Sequence, residues 1–188
     1  MSNIPVLSLN TPATVKKIVF CFHWVGGNAN AYRALAKLLE AEGILVYGVD
    51  LPGRNGKNAI RNMKEIVDSL CNFFVLNGTE KKLNSLPTLF FGHSYGGLLA
   101  FELVKKLQST PAITWKVSHL LLSAVRSPQD LTDFNGNPES FLKHKLTEDA
   151  LFDYIVGIGG MFSILAMVFF TNIFIQDCLR ELAQIFFA

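Results

Sequence analysis

Ser94 lies in the run Gly92-His93-Ser94-Tyr95-Gly96-Gly97, a G-x-S-x-G pattern. The apolar stretch Leu86-Pro87-Thr88-Leu89-Phe90-Phe91 precedes it and Leu98-Leu99-Ala100-Phe101-Glu102-Leu103-Val104 follows, so the serine is predicted on a sharp turn between a strand and a helix. A serine on such a turn needs space for the chain two residues to either side, which Gly92 and Gly96 supply. At a helix N-terminus it faces backbone N–H groups and a dipole that favour the negative charge developing in acyl transfer. The chemistry this pattern suits is nucleophilic attack on an acyl carbon, with the Tyr95 amide as one oxyanion donor. His93 adjoins the serine, but neighbours on such a turn point in different directions, so it is expected to pack or to hydrogen-bond rather than to act as a base.

The elements that must position this turn alternate between strand and helix. Ile18-Val19-Phe20-Cys21-Phe22 is a continuous β-branched and aromatic run of the kind found in a strand buried on both faces. A glycine loop, His23-Trp24-Val25-Gly26-Gly27-Asn28-Ala29-Asn30, joins it to an amphipathic stretch over 32–40. Gly43 ends that helix, Ile44-Leu45-Val46-Tyr47-Gly48-Val49 is the next strand, and Asp50-Leu51-Pro52-Gly53-Arg54 is turn chemistry in which Asp50 is expected to cap the turn. Ile66, Val67, Leu70, Phe73 and Phe74 recur at helical spacing within a helix predicted over 63–76, which Asn77-Gly78 stops. The helix after Ser94 is expected to end near Gln108-Ser109. Val117-Ser118-His119-Leu120-Leu121-Leu122-Ser123 is a further strand, expected to be buried, His119 included. This alternation predicts an α/β fold with a mostly parallel sheet and right-handed crossovers.

The length of 188 residues suits one domain, 1–188, with a sizeable core. Half of the residues are hydrophobic and the net charge is only +2, which excludes disorder and electrostatic binding to nucleic acid as themes. The glycine loop has neither the Lys-Ser/Thr of a P-loop nor G-x-G-x-x-G spacing, so no nucleotide is expected. Cys21, Cys71 and Cys178 are odd in number and widely spaced, which argues against disulfides and a zinc site and suits a reducing cytoplasm. The N-terminus shows no secretory pattern.

Four stretches together resemble the type II thioesterases, the discrete α/β-hydrolases that serve nonribosomal peptide, polyketide and fatty acid synthases. Phe22-His23-Trp24-Val25-Gly26-Gly27 is similar to the family's aromatic-x-x-x-Gly-Gly loop and Leu51-Pro52-Gly53-Arg54 to its Leu-Pro-Gly-Arg turn. Gly92 to Gly97 resembles its nucleophile elbow and the run from Ser123 to Pro128 its post-strand loop. The resemblance extends over about residues 17–160. It implies an α/β-hydrolase with a helical lid, and hydrolysis of an acyl or peptidyl thioester on the phosphopantetheine arm of a carrier protein. Ser94 would be the nucleophile, and Trp24 or Val25 would supply the second oxyanion amide beside Tyr95. A lid would begin within 137–154, and no metal or redox cofactor is needed.

The sequence departs from that family after Ser123, with no recognisable later strands and hence no recognisable triad Asp or His. His119 falls within the last strand and His144 on the expected lid. Asp130, Asp133, Asp149, Asp153 and Asp177 follow the serine without a credible histidine partner. The expectation is a thioesterase whose C-terminal part is altered or truncated, with 137–188 a lid and an atypical hydrophobic segment, and with 117–123 left as an apolar edge. Segment 154–176 reads as a lid lining an acyl pocket, as a membrane span, or as part of an altered terminus. The alternatives in function are a non-catalytic acyl or carrier-protein binding module and a membrane-attached interaction protein.

Overall fold

Residues 4–51, 62–77, 85–113 and 116–125 are described in a computed structural model of the chain. The elements follow in the order β1 (Val6–Ser8), β2 (Lys17–Phe22), a 3-10 turn (Ala29–Tyr32), α1 (Arg33–Glu40), β3 (Ile44–Val49), α2 (Met63–Asn77), β4 (Thr88–His93), α3 (Tyr95–Gln108) and β5 (Val117–Ser123). The chain divides into two compact units, Met1–Ser127 and Pro128–Ala188. The sheet belongs to the first; the second, with the expected lid and the hydrophobic segment 154–176, lies outside the described residues.

The five strands are ordered β1-β3-β2-β4-β5. β2 pairs in parallel with both β3 and β4, and β4 with β5, whereas β1 runs antiparallel to β3. The central position of β2 accounts for its unbroken apolar sequence, since both of its faces are covered. Ile18, Phe20 and Phe22 point to one face and join Leu70 and Phe74 of α2, Phe90 of β4, and Leu99 and Leu103 of α3 in the main core. Aromatic edges fix this packing: the Phe20 ring meets Phe74 at 4.9 Å and Phe90 at 5.7 Å between centroids, both edge-on. Such pairs contribute about 0.5–1.5 kcal/mol each beyond the area they bury. α1 buries Leu35, Ala36 and Leu39 and packs on β3.

The segment before β2 contains a strand that the sequence pattern does not reveal, β1, and is tied in by Asn10. The Asn10 amide donates to the Ala36 and Ile44 carbonyls at 2.7 and 3.0 Å and accepts from the Val46 N–H at 2.9 Å. A three-residue strand held by long-range bonds has too little periodicity to be seen in sequence. His119, expected to be buried, is exposed. Among the described strands β5 has a strand neighbour on one side only, and exposed residues fall on both of its faces, His119 on one and Leu122, 42% exposed, on the other.

Candidate active site

The register of the sheet brings two loops together. Phe22 at the end of β2 lies opposite Gly92 of β4, so the glycine loop and the turn at Ser94 leave adjacent parallel strands at their C-terminal ends. In open parallel α/β sheets this is where sites assemble.

Ser94 has φ 53° and ψ −123°, a positive φ that residues with a Cβ avoid and that costs roughly 1–3 kcal/mol to hold. Hydrogen bonds on both sides hold it. Its N–H donates to the Ser123 carbonyl at 2.8 Å, and its carbonyl accepts from the Gly97 and Leu98 N–H groups at 2.9 and 3.3 Å. The hydroxyl makes no cap hydrogen bond to α3. Tyr95 opens α3, where first-turn N–H groups have no intrahelical acceptor. Burial raises its phenol pKa above the ordinary value.

The expected glycines are required by close backbone approach. A Cβ on Gly92 would stand 2.5 Å from the Gly96 oxygen and the Gly97 Cα. One on Gly96 would strike the Phe22 carbonyl and stand 2.6 Å from the His23 oxygen. α3 therefore starts against the backbone of the glycine loop, and only a residue without a side chain fits between them.

That loop is braced from three directions. His23 is fully buried; its Nδ1 lies 2.7 Å from the Trp24 carbonyl and its Nε2 accepts the Leu51 N–H at 3.2 Å. The Gly27 N–H also donates to the Trp24 carbonyl, at 3.0 Å. Asp50, buried at the end of β3, accepts the Ala29 N–H at 2.7 Å. Asp50 thus caps the turn that follows the glycine loop on the neighbouring strand, rather than its own turn as the sequence suggested. The buried Tyr32 hydroxyl donates to the Phe22 carbonyl at 2.8 Å.

His93 hydrogen-bonds and packs, as expected of it. Its Nδ1 bonds the Ser123 hydroxyl at 3.0 Å and its ring meets Trp24 edge-on at 5.8 Å between centroids. Burial lowers its pKa below the usual imidazole value. His23, Asp50 and Ser123 lie in stretches that the sequence singled out, but their partners here gave no signal in sequence, because strand register sets them. His144 and the downstream aspartates lie outside the described residues. Among the described residues no cluster of three His, Cys, Asp or Glu side chains is placed to hold a metal ion, and no helix is long and apolar enough to cross a membrane.

A mostly parallel sheet with a strained serine between β4 and α3 defines an α/β-hydrolase. The family model described as the Thioesterase domain matches residues 17–168, and the chain belongs to that family. It is 30% identical over 166 residues to linear gramicidin dehydrogenase LgrE of Brevibacillus parabrevis, covering 78% of this chain and 60% of that protein. It is 26% identical over 158 residues to gramicidin S biosynthesis protein GrsT of Aneurinibacillus migulanus, covering 73% of this chain and 58% of that one. Among solved structures, the RedJ thioesterase from the prodiginine biosynthetic pathway in Streptomyces coelicolor superposes with a TM-score of 0.58 at 26% identity, covering 81% of this chain and 58% of that one. The chain spans about three-fifths of the length of the curated relatives it matches.

Proposed function

We propose that the protein hydrolyses acyl or peptidyl thioesters held on the phosphopantetheine arm of a carrier protein, through an acyl-enzyme on Ser94, in the cytoplasm and in the service of a nonribosomal peptide or polyketide synthase. The observation that carries this reading is the backbone of Ser94, held at φ 53° between strand and helix in a chain of the thioesterase family. Strain of this kind persists only where the surroundings enforce it, and here it presents a hydroxyl at the C-terminal edge of the sheet. The relatives' names point to peptide natural products. LgrE is named a dehydrogenase, and that activity is not carried over, because the glycine loop lacks dinucleotide-binding spacing.

In this reading the Ser94 oxygen attacks the thioester carbon, and the carbonyl oxygen becomes an oxyanion beside the Tyr95 N–H. The phosphopantetheine thiol leaves, and water then releases the acyl group from the serine. Of the two loop amides, geometry favours Val25. The His23 carbonyl oxygen faces Gly96, so in a trans peptide the Trp24 N–H points away from the elbow. Val25 is 61% exposed, at the surface that a substrate can reach. The base that serves Ser94 is to be sought outside the described residues: His23 and His93 are bonded elsewhere, and His119 lies exposed on β5.

The test is intact-mass analysis before and after a fluorophosphonate probe, with Ser94→Ala in parallel. One adduct on the native protein and none on Ser94→Ala, together with steady release of thiol from an acyl-carrier thioester, is the expected result. A folded protein that takes no adduct but retains acylated carrier protein would replace hydrolysis by non-catalytic binding.

A further inference from the structure

We infer that His23 is a positioning residue for the oxyanion loop, held as the neutral Nδ1–H tautomer so that it clamps the Trp24 carbonyl and aims the Val25 N–H. The inference rests on the Ser94 reading above and names the device that sets the second oxyanion donor.

The tautomer follows from the partners. The Trp24 carbonyl can only accept, so the Nδ1 that lies 2.7 Å from it carries the proton. The Leu51 N–H can only donate, so the Nε2 that meets it at 3.2 Å carries a lone pair. An imidazole in this setting has one arrangement of its single proton that satisfies both neighbours.

The consequence for the loop follows from peptide planarity. The Trp24 carbonyl and the Val25 N–H belong to one trans peptide and point in opposite directions. The carbonyl is fixed by two donors, the His23 ring and the Gly27 N–H at 3.0 Å, so the N–H is fixed as well. Gly26, at φ 85°, lets the chain return for the Gly27 bond. The other end of the ring reaches Leu51, so the amide that would meet the substrate is referenced to the end of β3 and not only to its own loop. Oxyanion donors act through preorganisation; one that must first reorient loses most of its effect.

The two ring nitrogens can be tested separately. Asn places an amide N–H where Nδ1 stands and keeps the donor to Trp24; Gln places an amide oxygen near Nε2 and keeps the acceptor for Leu51. With both variants folded by thermal denaturation, His23→Asn is expected to keep the fluorophosphonate labelling rate of Ser94 within about threefold of native, and His23→Gln to lose at least about tenfold. Equal rates in the two variants would overturn the clamp. Long-range proton–nitrogen spectra of the native protein give a readout independent of catalysis: a protonated Nδ1 supports the inference, and a protonated Nε2 overturns it. If native Ser94 takes no label, the hydrolase reading fails, and the spectrum alone still decides the clamp.

Discussion

The amide of Ser94 donates to the carbonyl of Ser123 at 2.8 Å, and the side chain of the same Ser123 bonds His93 Nδ1 at 3.0 Å. One residue at the end of β5 thus holds both the strained serine and the residue before it. The register that pairs His93 with Ser123 makes this possible. It also commits the serine's own N–H, so that the Tyr95 amide is the elbow's candidate for meeting an oxyanion.

The two bonds from Ser123 separate by mutation. Ser123→Ala removes the hydroxyl and keeps the carbonyl, so the turn at Ser94 should survive. Ser123 is buried, and losing one such hydrogen bond costs about 1 kcal/mol. The expected outcome is an unfolding free energy lowered by that amount and fluorophosphonate labelling of Ser94 within about threefold of native. A loss of labelling with unchanged stability would mean that the hydroxyl acts directly on the reaction.

His93 should make stability depend on pH in one direction. Burial holds its pKa below the usual imidazole value, whereas in the unfolded chain it takes up a proton near pH ~6.5. Across the interval between the two values the unfolded state binds more protons, so stability rises with pH there. The contribution is complete above about pH 6.5 and is lost as pH falls toward the folded-state value. Urea midpoints measured between about pH 5 and pH 8 should fall on the acid side for the native protein, and His93→Gln should flatten that slope. An unchanged slope would assign the dependence to another group.

The elbow and the strand–helix alternation were legible in sequence because they are local. β2 carries the unbroken apolar run 18–22 and β4 the shorter run 89–91, α2 shows helical spacing, and two glycines bracket Ser94. The bracing of the site was not legible. His23 meets Leu51, Asp50 meets Ala29, and Ser94 meets Ser123 across intervals that acquire meaning only when the strand order and register are known. His119 was misread because central and outer strands of a parallel sheet have the same apolar sequence character, although the expectation that 117–123 is left as an apolar edge pointed the other way.

The glycines differ in what they require, and alanine substitutions should rank them. At Gly92 a Cβ meets backbone at 2.5 Å, which cannot move without shifting α3. Overpacking of this kind costs about 1–3 kcal/mol or more. Gly92→Ala should therefore lower stability and abolish labelling of Ser94. At Gly26 a Cβ meets nothing within 4 Å, and only φ 85° opposes it, a penalty of about 1–2 kcal/mol. Gly26→Ala should fold and label more slowly than native. Labelling of Gly92→Ala at the native rate would mean that the first turn of α3, at Gly96 and Gly97, does not lie against Gly92.

Cysteine reactivity tests the core independently of catalysis. Cys21 and Cys71 are buried, and burial pushes the Cys21 thiol well above its ordinary pKa. Thiolate, not thiol, reacts with alkylating agents. In native protein both residues should resist iodoacetamide, and both should react once the chain is unfolded in urea, as read by peptide mass mapping. Prompt alkylation of Cys21 under native conditions would contradict the packing of β2 at the centre of the sheet.

Asp50 offers the most direct control over the loop that carries Val25. Its Oδ1 accepts the Ala29 N–H at 2.7 Å in a buried setting, near the end of the loop where the 3-10 turn begins. Asp50→Asn can keep an oxygen at that position, whereas Asp50→Ala leaves the Ala29 N–H without this acceptor, at a cost of about 1–3 kcal/mol. Asp50→Ala should therefore be the less stable variant by that amount and should label more slowly, because the loop's far end is released. Asp50→Asn should stay close to native in both respects. If Asp50→Asn also lost labelling while its stability held, the negative charge rather than the acceptor would be what the site needs, and Asp50 would become a candidate for electrostatic participation in the reaction.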